Sequence, residues 1–160
     1  MIHYPRALGW GTLATMVLTL VMSASQGLGW SRISLPYIIG TMFSARRSRA
    51  MAIGFLLHFV LGVAIALLYA LLFEALGRTG PALGALLGLF HGLFLLVVLL
   101  PIIEAFHPRM ASRHHGPTPT RQLEPPGFLA LHYGAATPII TLVAHVAYGV
   151  ILGVFYTLGR

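Results

Sequence analysis

The sequence predicts an all-α integral membrane protein: a four-transmembrane-helix bundle made of two tandem, parallel two-helix repeats. Three observations lead there. Hydrophobic residues make up 58% of the chain and charged residues only 8%, with a mean hydropathy of +0.87. A soluble domain carries roughly 25% charge, so lipid is the natural solvent for this composition. Four stretches reach the roughly 20 apolar residues that a helix needs to cross a bilayer. Finally, the pattern H-x3-G-x6-Y occurs twice, as His58, Gly62, Tyr69 and as His145, Gly149, Tyr156.

The first span is expected over residues 7–27, flanked by Trp10 and Trp30. These indoles are separated by about 30 Å of helix, the hydrocarbon thickness, and suit a membrane-interface belt. The helix itself should end before Trp30. Ser23-Ala24-Ser25 resembles a signal-cleavage site. The long apolar run, with only Arg6 at its basic start, favours a retained helix instead. The second span is expected over 51–76 and the third over 81–104. Only Gly77-Arg78-Thr79-Gly80 joins them, which makes an antiparallel hairpin. Pro81 and Pro138 follow capping-type residues and open helices in the usual way. Pro101 should kink or end the third helix. The fourth span is expected over 138–158.

Two connections remain, 28–50 and 105–137, each with a short apolar piece, at 33–43 and 128–133. They carry seven arginines against three at the other helix ends (Arg6, Arg78 and Arg160). By the positive-inside rule both loops are cytoplasmic and both termini lie outside, with a bacterial inner membrane as the expected location. The repeat units run over about 1–76 and 81–160 within one membrane domain of residues 1–160. Such a duplication places equivalent residues at equal depth. Tyr69 and Tyr156 then fall near the outer interface.

Small residues recur every fourth position on one face of each span. Gly62 lies in the second, Gly84, Gly88 and Gly92 in the third, Gly149 and Gly153 in the fourth. Such stripes let helices approach closely. They are expected to pack the bundle, and the glycine face of the third helix to dock a membrane subunit or second copy.

Apart from Glu74 and Glu104 near helix ends, the ionisable residues within the spans are His58, His91 and His145. His58 and His145 share the small-residue faces, and His91 sits beside Gly92. Such imidazoles can ligate haem b or a metal ion such as Zn, Cu or Fe. They can also remain neutral and hydrogen-bond neighbouring helices. Loop residues His107, His114, His115 and His132 match no standard metal spacing, and the Arg- and Pro-rich loop around them reads as a flexible surface on anionic headgroups. Asp and Cys are both absent. No nucleophile motif, zinc-protease helix or phosphate loop occurs, so the reading leans away from an enzyme. The net charge of +7 sits beside the spans rather than on a folded domain, which argues against nucleic acid. The expected role is a non-catalytic accessory subunit or oligomeric scaffold in contact with membrane lipid. Haem or metal binding, and ion or proton transport, are the alternatives.

Overall fold

The structure is a computed structural model and describes residues 2–112, 116–121 and 123–158. The described residues form helices α1 (Tyr4–Gly27), α2 (Leu35–Thr41), α3 (Arg47–Leu76), α4 (Pro81–Phe94), α5 (Leu100–Phe106) and α6 (Thr137–Phe155). A π-helical turn, Leu95–Leu99, joins α4 to α5, and a 3-10 segment spans Phe128–Tyr133. No strand forms among them, only two isolated bridges. Four helices, Tyr4–Gly27, Arg47–Leu76, Pro81–Phe106 and Thr137–Phe155, are long and apolar enough to cross a membrane.

The helix ends differ from the sequence expectation in informative ways. α3 begins four residues early, taking Arg47 and Arg49 into its first turn, because Ala50 is already fully buried. Its 30 residues make about 45 Å of helix, longer than a hydrocarbon core. α6 stops at Phe155, so Tyr156 lies just past the helix although its N–H still reaches Leu152 O. Pro101 neither ends nor breaks the third span. The π turn precedes it, with Leu100 N–H bonding Leu95 O, and α5 resumes with Pro101 in its first turn, where a missing N–H costs nothing.

Helices α1 and α3 stop on the same device. Gly29 (φ +72°) and Gly77 (φ +63°) adopt left-handed backbone, and the next residue's N–H reaches back five positions: Trp30 to Ser25 O and Arg78 to Phe73 O. The apolar piece of the first loop becomes α2. Ser34 caps it by accepting the Tyr37 N–H at 3.3 Å, with Pro36 in its first turn.

The chain divides into two compact units. One comprises Met1–Met22, Phe59–Gly92 and Thr141–Arg160. Its helices touch through small residues. A Cβ on Gly11 would collide with Ala66, and one on Gly62 with Thr15, which locks α1 on α3. Gly84 and Gly88 face the backbone of Gly149 and His145, which locks α4 on α6. Trp10 stacks on Phe155 at 4.4 Å.

The other unit comprises Ser23–His58 and Leu93–Ile140. Here α2 lies directly on the start of α3. A side chain on Gly40 would strike the Ala50 carbonyl, and one on Gly54 the Pro36 carbonyl. The end of the 105–137 connection, from Glu124 to Thr137, is tied down by several contacts. Arg32 N–H donates to Tyr133 O at 2.7 Å, and its guanidinium bonds His132 O and pairs with Glu124 at 3.1 Å. Ser31 Oγ meets Thr137 Oγ1 at 2.8 Å, both buried. The Phe128–Tyr133 segment holds two left-handed non-glycine residues, Leu129 (φ 52°) and Ala130 (φ 59°).

Candidate functional site

The densest group of polar aromatic side chains lies in the first unit, where α3, α4 and α6 contribute Tyr69, His91, His145 and Tyr148. α6 places His145 and Tyr148 three residues apart, so they share one helix face. Both are buried, at 3% and 1% exposure. His145 Nδ1 lies 2.7 Å from Thr141 O, one turn back in its own helix, so Nδ1 carries a proton and donates it to that carbonyl. The His91 ring meets the His145 ring edge to face, with centroids 4.6 Å apart and planes at 83°.

The two tyrosines complete the group. The Tyr69 hydroxyl is 3.4 Å from His91 Nδ1, a long hydrogen bond. The rings of Tyr69 and Tyr148 meet edge to face at 5.5 Å. The Tyr148 hydroxyl donates to the Gly62 carbonyl at 2.7 Å and so satisfies a buried polar tip. Contacts continue from Tyr69 through Phe73 to Tyr156, at 6.3 and 5.9 Å. Tyr156 OH donates to Glu74 Oε1 at 2.9 Å and accepts the His3 N–H at 3.1 Å.

The expected site residues separate accordingly. His91 and His145 come together, whereas His58, partly exposed, belongs to the other unit. His58 lies eleven residues from the start of α3 and His145 eight from the start of α6. Among the described residues no three His, Asp or Glu side chains are grouped so as to hold a metal ion. A porphyrin held by these histidines would need the space beside their neighbouring glycines. That space is filled instead by the facing helix: Gly88 abuts the His145 carbonyl, and a Cβ on Gly92 would lie 3.2 Å from His145 Cβ. The ring contact of His91 on His145 likewise leaves no gap for a flat macrocycle between them.

The glycine faces are occupied within the chain. Gly84, Gly88 and Gly92 meet α6, Gly149 and Gly153 meet α4, and Gly62 meets Thr15 of α1. The face of the third span expected to receive a partner is thus covered by α6. Tyr69 and Tyr156, expected at the outer interface, are buried at 3% and 1% exposure because their hydroxyls find partners inside the unit. Trp30 is exposed, and Trp10 is half-buried against Phe155.

Of the loop histidines, His107 is buried, and its ring is fully used. Nδ1 accepts the Arg109 N–H at 3.1 Å, and Nε2 lies 3.0 Å from Ile38 O. Burial, and to a lesser degree the Arg109 charge, hold its pKa below the ordinary value, although the bond to Ile38 O works the other way. His132 is exposed, with Nδ1 at 2.9 Å from Pro125 O. His114 and His115 lie outside the described residues.

Sequence reasoning missed Tyr148, although it is the residue before Gly149 in the second H-x3-G motif. A tyrosine among aliphatic positions of a span was the available signal. The partnership of His107 and Arg109 with α2 had no such signal, since it joins residues about 68 positions apart. Comparison with known protein families, with curated proteins and with solved structures gives no match for this chain.

Proposed function

We propose that the chain is an integral membrane protein whose four helices close on themselves, and that it serves as a non-catalytic accessory subunit or small oligomer. The observation that carries this reading is the division of labour between helix faces. The glycine faces are spent inside the chain, while the outward faces present large apolar residues such as Leu56, Val60, Leu61, Phe90, Phe94 and Val97. Along its most apolar stretch only 22% of α3 is buried within the chain. Such faces suit lipid and neighbouring membrane helices, so a partner docks through aliphatic and aromatic side chains rather than through glycine.

Two further features belong to the proposal. The chain arose as a duplicated two-helix unit, supported by the paired H-x3-G-x6-Y motifs and by a short helical insertion before each of α3 and α6. The loops around α2 and residues 105–137 face the cytoplasm, supported by their seven arginines.

Native mass spectrometry from lipid nanodiscs tests the assembly: a discrete oligomer or a stoichiometric complex is expected, and a monomer at every loading ratio would overturn the reading. The chain contains no cysteine, so single-cysteine labelling reports topology cleanly. Ser44→Cys is expected to label from the inside and Thr79→Cys from the outside; the opposite pattern would reverse the orientation.

A second reading, proton movement through the bundle, is favoured by the unbroken contacts from His145 through His91 to Tyr69. It predicts proton flux in liposomes that is lost in His91→Leu, and wild-type liposomes as tight as empty ones would dismiss it. Haem binding through His91 and His145 is disfavoured by their direct ring contact. A Soret band in the purified protein would revive it.

A further inference from the structure

The second unit contains a cavity of about 590 Å³ between α2 and the connection that follows α5. Its wall includes Tyr37 and Thr41 of α2, Ala45, and Arg109, Thr120 and Leu123 of the connection. The described residues of the two segments that build it, 35–49 and 107–123, include five arginines and no acidic residue, and the neighbouring Glu124 pairs with Arg32. A concentration of positive charge this uncompensated attracts an anion.

Arg109 is held for that purpose. Its Nη1 donates to the carbonyls of Thr41 at 2.6 Å and Met42 at 3.2 Å, at the C-terminal end of α2. His107, itself fixed on Ile38 O, accepts the Arg109 backbone N–H. The guanidinium is therefore anchored at one nitrogen, with its Nε and Nη2 donors uncommitted to any described residue. The Tyr37 hydroxyl adds a donor, and its ring carries Arg47 at 6.0 Å above the centroid. Thr120 supplies a second hydroxyl, paired with Thr118. A planar fork with two hydroxyls matches an anion of three or more acceptor oxygens better than a carboxylate, and Ala45 and Leu123 offer an apolar wall to its substituent.

We propose that this cavity binds one phosphate ester of net negative charge, with Arg109 as its principal ligand and the Tyr37 and Thr120 hydroxyls completing the contact. The ester is a phospholipid headgroup or a soluble organic phosphate, which share this chemistry. The site goes beyond a general attraction of basic loops to anionic lipid, because it is single, shaped and centred on one arginine.

Native mass spectrometry of the detergent-purified full chain, offered phosphatidylglycerol or phosphatidylcholine, tests it. Wild type is expected to retain one phosphatidylglycerol per chain. Arg109→Gln should weaken retention at least tenfold, and Arg78→Gln, which is not among the cavity's lining residues, should leave it unchanged. Because Arg109 also holds α2, the double variant Tyr37→Phe, Thr120→Val provides a test that spares the fold; a loss of about fivefold is expected from two lost hydrogen bonds. Displacement by millimolar glycerol 1-phosphate would identify a soluble ester as the ligand, and resistance to it the lipid headgroup; either result supports a phosphate site. Equal retention of phosphatidylcholine, or wild-type binding by the double variant, would overturn the proposal.

Discussion

Gly84 and Gly149 meet backbone to backbone: a Cβ added to either would overlap the carbonyl oxygen of the other. The contact is reciprocal, so α4 and α6 lie as close as two helices can. In lipid, where apolar burial gives helices little reason to associate, closeness of this kind is the main source of attraction.

Gly84→Ala should therefore force the pair apart. The obstacle is backbone, which cannot rotate away, and overpacking of this sort costs about 1–3 kcal/mol. Thermal unfolding in detergent should show a lowered midpoint for Gly84→Ala and for Gly149→Ala. Gly9→Ala, where a Cβ meets nothing within 4 Å, should be neutral or slightly stabilising. If Gly84→Ala is as stable as Gly9→Ala, the α4–α6 contact is not as drawn.

His107 predicts a pH dependence. Its folded pKa lies below the ordinary value of 6.5, chiefly through burial. The unfolded chain then takes up a proton at a pH where the folded chain does not, so acid favours unfolding. Its contribution is complete above about pH 6.5 and declines as the pH falls through and below that value. Denaturation followed from pH 7.5 to pH 5 should show stability dropping, and His107→Gln should flatten part of that slope. A variant with an unchanged slope would show that the ring titrates freely in the folded protein.

The left-handed pair at Leu129 and Ala130 carries strain, since an L-residue in this region costs about 1–2 kcal/mol. Ala130 is fully buried and packs no more than a methyl group. Ala130→Gly removes the strain at the expense of a floppier unfolded chain, a loss of roughly 0.5–1 kcal/mol. A small net rise in the unfolding midpoint is expected, whereas Ala130→Val should lower it clearly. A lower midpoint for Ala130→Gly would assign Ala130 an ordinary right-handed backbone.

Much of the architecture was legible because composition and period carry it. Four apolar runs named four helices, and the tight Gly77–Gly80 link named the hairpin between the second and third. What periodicity could not convey was which partner each small face would meet. Gly84, Gly88 and Gly92 look the same whether they await another chain or already touch α6. The histidines posed a similar problem: His91 and His145 lie on different helices, and their ring contact depends on helix rotation. The inward turn of Tyr156 had no signal either, since the helix ends one residue before it and its hydroxyl reaches Glu74 on another helix.

The π turn at Leu95–Leu99 has a consequence for how this chain tolerates change in length. A turn closed from Leu100 back to Leu95 accommodates one residue more than an α-helical turn does. Each residue advances a helix by about 100°. Deleting a single residue within Leu95–Leu99 would let regular α-helix form, yet keep Leu100 and Pro101 close to their present bearing. The same deletion two turns earlier would swing His91 away from His145. The wide turn is thus the one place in the third span where the chain holds slack.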